Sequence, residues 1–453
     1  MTYGATMCAG LTGGYSGILL HQLRSNSSDL QIDDNMASWI VSVYTGGTSL
    51  GCISCGIIMN LAGRRTGAQT ANVTMAIGWL VIAFSNSIPI MLVGRAIDGF
   101  GKGAIAVAAT IHLDEMADPR LRVSLFTCCL LTYSIGIVII TSLGTTVGWR
   151  ISAGIGVAFS LLDFIGYCFV PESPVWLVRS GKTQKAREVF KWLWKHQHDE
   201  KAERDLEELL NRLKEETQER QLPWKLKFRA QFMKPLLIVH VINLLPIFCG
   251  MFIVIFYASD IMSELNKMGD LDLNAMLVSA SVVRMVAMIL IWFFLLRFGR
   301  RPLCILSGTV AGLAALGIAV ATSVNVFHAW LLFVLLLTYI AFSTFGLLTV
   351  LPVLSSELMP SKIRCVACGY IYTLCDLLLF GFTKAFPFVV GAIGMPGLFS
   401  VFAGSCLLCS CFLYFFFARN EGPYVGRNRG VLFTKESLVV KTKVVMLIYQ
   451  LSP

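Results

Sequence analysis

Residues 59–67 read Met59-Asn60-Leu61-Ala62-Gly63-Arg64-Arg65-Thr66-Gly67, and residues 295–302 read Leu295-Leu296-Arg297-Phe298-Gly299-Arg300-Arg301-Pro302. Each Gly-Arg-Arg turn closes one apolar run and opens the next. A second motif pair repeats the pattern: EMADPRLR runs from Glu115 to Arg122, and ELMPSKIR from Glu357 to Arg364. The first pair is separated by 236 positions and the second by 242. Two motif pairs at nearly one offset, each at the same helix end, predict two copies of one unit in parallel orientation.

The unit is a bundle of membrane-spanning helices. Of the 453 residues, 56% are hydrophobic and 14% charged, whereas a soluble domain is about a quarter charged. With a mean hydropathy of +0.70, a single soluble core is excluded. A spanning helix takes about 20 apolar residues. Runs of that kind occupy roughly residues 3–22, 36–60, 68–86, 88–111, 123–146 and 150–170, then 235–259, 274–297, 303–323, 328–356, 365–391 and 397–418. The fold expected is therefore an all-α membrane protein of twelve transmembrane helices in two six-helix pseudo-repeats. Its parts are an N-terminal bundle (1–170), a cytoplasmic helical linker (171–234), a C-terminal bundle (235–418) and a cytoplasmic tail (419–453). The first run begins almost at Met1 without a basic leader or a small-residue cleavage site, so it reads as a span and not a signal peptide. In the linker, AREVFKWLWKH and KAERDLEELLNRLKEE place apolar residues at helical spacing among mixed charges, the pattern of an amphipathic cap on a solvated face.

The formal charge of +10 is explained by position. Alternate connections carry Arg64, Arg65, Arg120, Arg122, Arg300, Arg301, Lys362 and Arg364, while the others carry little beyond Arg24 and Lys267. Basic connections stay in the cytoplasm, which puts both chain ends there, in a multi-pass plasma-membrane protein. Asn26-Ser27-Ser28 then falls in an outside loop, where Asn26 is a candidate glycosylation site. Asn72-Val73-Thr74 falls within the third helix and is expected to be silent.

Several chemistries are set aside. All fourteen cysteines lie within or beside apolar runs, so they form no disulfide framework. The pairs Cys52/Cys55, Cys365/Cys368 and Cys406/Cys409 have metal-ligand spacing but no clustered histidine, and read as small apolar filler. His196 and His198 are two ligands, too few to close a zinc shell. GRAIDGFGKG (94–103) mimics a phosphate loop, yet no strand precedes it; its glycines suit close helix packing. Neither a catalytic constellation nor a basic-aromatic nucleic-acid surface is visible. The expectations are no enzyme, no metal, no cofactor and no nucleic acid, with the lipid bilayer and a small solute as partners.

The motifs together resemble the sugar porter family of the major facilitator superfamily from the first helix to the twelfth. The resemblance rests on Gly14-Tyr15-Ser16-Gly17, both Gly-Arg-Arg turns, GRAIDGFGKG, Glu115 with Arg122, PESPVWL at 171–177, and Glu357 with Arg364. Phe382-Thr383-Lys384-Ala385-Phe386-Pro387 is more like the insect facilitated trehalose transporters. The resemblance implies facilitated transport of a sugar, trehalose or a hexose, by alternating access. It also implies a cytoplasmic gate of Arg64, Arg65, Glu115, Arg122, Glu172, Arg300, Arg301, Glu357 and Arg364. Asn60 and Leu296 stand where many relatives have acids, which predicts a thinner network in the second half.

The central site departs from the family. By the resemblance its cavity includes Tyr15, Ser16, Leu130, Tyr133, Phe252, Tyr257, Arg284 and Asp376. Leu130 and Phe252 stand where amides are usual, Pro246 and Ile247 replace a glutamine pair, and the tenth-helix Pro-Trp region reads Leu351-Pro352. An arginine within a span is costly and faces a partner or a wet cavity; Asp376 is the counter-ion expected for Arg284. These departures raise two alternatives, a transporter-like sensor or non-transporting relative, and a carrier of an anionic small solute. Ser16 occupies the position where proton-coupled members carry a carboxylate, and a serine exchanges no proton near neutral pH. Facilitated diffusion is thus expected over proton coupling. The family's Pro-Glu-Thr-Lys-Gly signature after the twelfth helix is replaced by Ala418-Arg419-Asn420-Glu421-Gly422.

Overall fold

A computed structural model describes residues 2–24, 30–117, 122–193, 199–220, 230–267, 271–298, 300–324, 328–349 and 364–419. Among the described residues all regular structure is helical. The six N-terminal runs become α1 (Thr2–Leu23), α2 (Asp34–Ala62), α3 (Arg64–Ala83), α4 (Ile88–Met116), α5 (Arg122–Gly144) and α6 (Trp149–Cys168). Three linker helices follow: α7 (Pro174–Arg179), α8 (Thr183–Leu193) and α9 (Asp199–Arg220).

The second half starts with a broken span, α10 (Ala230–Phe248), α11 (Met251–Phe256) and α12 (Ala258–Leu265). Gly250 sits at the first break with φ 78°, a left-handed conformation that glycine adopts without a Cβ penalty. A Cβ there would also strike the Phe402 ring. Next come α13 (Leu273–Arg297), α14 (Arg300–Ser323) and α15 (Ala329–Phe342), the last running on as a π-turn over Ser343–Leu348. Finally α16 (Arg364–Arg419) carries the eleventh and twelfth spans, divided at Gly394 with φ 66°. The repeat is visible in this register. Arg64 and Arg300 each open a third helix of their half, and Arg122 and Arg364 each open a fifth.

Seven helices among the described residues are long and apolar enough to cross a membrane by length and composition alone, the longest being the two-span run Tyr370–Phe415. α1, α3 and α4 have spanning length but hold more glycine and polar residues, because they pack against protein. The α2/α4 contact shows the reason. A Cβ on Gly47 or Gly51 would overlap the carbonyls of Ala96 and Phe100, and one on Gly99 or Gly103 would overlap those of Tyr44 and Thr48. Backbone meets backbone along four glycines, Gly99 and Gly103 in GRAIDGFGKG and Gly47 and Gly51 on the facing side of α2. Such close approach supplies the van der Waals contact that replaces a hydrophobic driving force between helices in lipid.

Two large apolar cores result. One lies within α1–α6 around Leu11, Met75, Trp79 and Ile105. The other fills the second half and reaches across to Ile18, Val41, Tyr44 and Ile137 of the first. A small third cluster, Leu177, Ala186, Val189 and Leu206 packed against Met116, seats the linker helices on the end of α4.

Candidate functional site

The Gly-Arg-Arg end of the first half is a closed charge network. Arg64 grips Glu115 with two prongs, Nε to Oε2 at 2.8 Å and Nη2 to Oε1 at 2.7 Å. Its Nη1 donates to the Met59 carbonyl at 3.0 Å. Glu172 accepts the backbone N–H groups of Arg64, Arg65 and Ser173 at 2.8, 3.1 and 2.9 Å. Gly63, at φ 106°, gives Glu172 its seat, since a Cβ there would collide with the carboxylate. Ser173 caps α7 by accepting from the Trp176 N–H and also donates its hydroxyl to Glu115. Trp176 Nε1 donates to the Asn60 carbonyl at 3.2 Å, and Arg65 Nη2 to the Cys168 carbonyl at 2.7 Å. Thus the PESP segment, the first Gly-Arg-Arg turn and the end of α4 form one unit.

In the second half Arg301 reaches the Tyr414 carbonyl at 3.1 Å, its guanidinium 5.7 Å from that ring. Glu357 lies outside the described residues, as do the side chains of Arg122, Arg300 and Arg364. Asn26 and the tail 419–453, from residue 420 on, also lie outside them.

At the opposite end the halves are joined directly. Arg24 Nη2 lies 2.8 Å from Asp34 and 3.3 Å from Asp260 of α12. Lys384 of α16 donates to Asn35 Oδ1 and Ser38 Oγ, each at 2.8 Å, and stands 4.1 Å above the Trp39 ring. Two turns along α2 from Ser38, Thr45 shares a 3.2 Å hydrogen bond with Thr383. Sequence reading missed this clasp. Lys384 had a usable signal, a lysine inside an apolar run; the partners Asn35 and Ser38 had none.

Between the ends lies a small cavity of about 30 Å³, lined by α1, α5, α11, α12, α13 and α15. Thr141, Ser281 and Arg284 are its polar residues. Arg284 is 5% exposed, and the cavity is where its side chain faces. Asp376 is not its counter-ion: the cation acting on Asp376 is Lys102 of α4, and Cys52 Sγ approaches Asp376 Oδ2 at 3.6 Å. Lys102 was passed over because it sits within the glycine-rich motif. Tyr133 stands between these charges, influenced by Lys102, Asp376 and Arg284.

Of the other expected cavity residues, Leu130, Tyr133 and Phe252 are half-buried against the core that spans both halves. Tyr257 is fully buried, donates to the Thr383 carbonyl at 2.7 Å and stacks on Phe386 at 4.1 Å. Tyr15 and Ser16 turn away into the first bundle. Tyr15 donates to the Trp149 carbonyl at 2.9 Å and meets Trp79 edge-on at 4.8 Å. Ser16 accepts from Arg95, which also pairs with Asp98 at 3.2 Å and lies 4.2 Å over the Tyr44 ring. Arg95 and Asp98 are completely buried, so this triad holds α1, α2 and α4 together.

The description "Sugar (and other) transporter" belongs to the family model that matches residues 9–422. The chain belongs to that sugar transporter family. Among family relatives, "Probable metabolite transport protein CsbC" of Bacillus subtilis is 29% identical over 93% of this chain and 92% of its own length. "Facilitated trehalose transporter Tret1" of Polypedilum vanderplanki is 26% identical over 92% and 84%. The fold of this sugar transporter is that of the major facilitator superfamily proton:xylose symporter XylE, solved with 6-bromo-6-deoxy-D-glucose, at a TM-score of 0.76 and 19% identity over 92% of this chain and 94% of that one. Twelve helices in two pseudo-repeats, and a transport rather than an enzymatic role, follow for a family member.

Proposed function

We propose that this protein carries a sugar, trehalose or a hexose, across the plasma membrane by facilitated alternating access. The bundles 1–170 and 235–418 rock about the central cavity with 171–234 as their cytoplasmic linker, and both chain ends lie in the cytoplasm. The observation that carries the reading is the difference between the two ends. At one end Arg24–Asp260, Lys384–Ser38 and Thr45–Thr383 bridge the halves. At the other, Arg64–Glu115, Arg64–Glu172 and Arg301–Tyr414 each lie within one half. Among the described residues the bridges found across the seam lie at one end, the form of a single state of a two-state carrier. With the basic end inside, the latched end is the extracellular one.

The gating roles of Arg64, Arg65, Glu115 and Glu172, and of their second-half counterparts, rest on this reading. Partly buried ion pairs nearly break even against desolvation, which suits groups that exchange partners between states. Facilitation without proton coupling is supported by Ser16 and by Asp98, sealed from water against Arg95. Uptake of labelled trehalose, glucose and fructose into oocytes, with and without a pH gradient, tests the proposal. Saturable uptake indifferent to the gradient is expected.

The cavity favours one other reading, a transporter-like sensor. At about 30 Å³ it holds a water or so, and a sugar enters only after the halves separate. Absence of uptake of every sugar despite surface expression would establish that reading in place of transport.

A further inference from the structure

Arg284 stands apart from the other buried arginines among the described residues. Arg95 pairs with Asp98 and Arg64 with Glu115, while Lys102 lies in the field of the Asp376 carboxylate. Arg284 Nε has no hydrogen-bond partner among the described residues. The groups acting on it are the phenols of Tyr133 and Tyr339, which carry no charge at neutral pH. An ionised side chain stripped of water costs several kcal/mol unless something pairs with it. The side chain is also not escaping to lipid headgroups, since it is 5% exposed and borders the central cavity.

The charge count at the centre of the molecule fixes what could fill the gap. Lys102 and Asp376 offset one another and leave one positive charge, on Arg284. A guanidinium in a cleft binds a carboxylate through two parallel N–H donors. Around it, Gly17, Ala258 and Ile340 offer apolar surface, while Thr141 and Ser281 supply hydroxyls. Ser281 donates to the Val278 carbonyl at 2.7 Å and keeps lone pairs free to accept from a sugar hydroxyl.

We propose that Arg284 makes the central cavity a site for a monoanionic sugar, a monosaccharide bearing one carboxylate, in preference to a neutral one. This rests on the sugar-transport reading for the location of the site and changes its substrate class. A phosphate ester, with a charge near −2 at pH 7, is the poorer match, because its second charge would stay unpaired.

The test is calorimetric titration of the detergent-purified full chain with D-glucuronate, D-glucose and glucose 6-phosphate, with oocyte uptake of the first two in parallel. A charge-assisted hydrogen bond in a buried site is expected to favour glucuronate over glucose by at least about tenfold. Arg284→Gln removes that preference; Arg284→Lys, which keeps the charge but loses the fork, retains part of it. Glucose binding to the unaltered protein as tightly as glucuronate overturns the inference, as does tighter binding of glucose 6-phosphate, or binding of none of the three. The two readings separate in the paired data. Glucose uptake without glucuronate preference leaves the transport proposal standing and sinks this one. Glucuronate binding without uptake of any sugar does the reverse.

Discussion

Glu172 rests against Gly63 at the end of α2 and gathers the amides of Arg64 and Arg65. The glycine's φ of 106° with ψ of 165° is a conformation closed to other residues at a cost of about 1–3 kcal/mol. Gly63→Ala thus strains the turn and evicts the carboxylate together. The expected result is a loss of uptake of about tenfold or more at normal surface expression, measured beside Gly56→Ala, whose added methyl meets open space.

Arg64 and Glu115 are 6% and 12% exposed in their side chains. Removing one member leaves the other buried and unpaired, at about 3–5 kcal/mol. Arg64→Ala and Glu115→Ala should each lower the melting temperature in detergent, and the double variant should lose less than the sum. A strictly additive double-mutant cycle would show that the pair is not coupled.

Lys384 ties the second half to Asn35, Ser38 and Trp39. Lys384→Ala should favour the state in which this end is open. A cysteine introduced at Ser42, buried behind the latch, is then labelled faster by an impermeant maleimide in whole cells; unchanged labelling would mean that the latch does not hold this end shut.

Asn72 is fully buried and donates to Asp163 at 2.8 Å, a position no glycosyltransferase reaches. A glycosidase-sensitive mobility shift should vanish in Asn26→Gln and persist in Thr74→Ala, which destroys the second sequon while sparing Asn72. Loss of the shift in the second variant would overturn the expected topology.

The extent to which these features can be read from sequence follows a physical line. Segment length and apolar run are local properties, and the spans located from them fall on α1–α6 and α10–α16. The repeat motifs likewise place Arg64 and Arg300, and Arg122 and Arg364, at matching helix starts. Rotation of a helix about its own axis is different. α1 and α5 scatter their few polar residues around the helix axis, so no stripe tells lipid from cavity. For that reason Tyr15 and Ser16, expected at the cavity, face Arg95 and Trp79 instead. Contacts between halves, such as Cys52 with Asp376, depend on which faces meet across a distance of 324 positions, and no periodicity carries that information.

The four-glycine seam between α2 and α4 bears on how the molecule can be controlled from outside. Helices locked backbone to backbone transmit force without flexing, as a stiff beam does, and α2 carries the latch residues Ser38 and Thr45 in its first half and the Gly63 turn at its far end. Prising α2 from α16 at Thr383 is therefore expected to move the Gly63 turn as well. A compound wedged beside Thr45 would act as an inhibitor of the far gate, which it never touches.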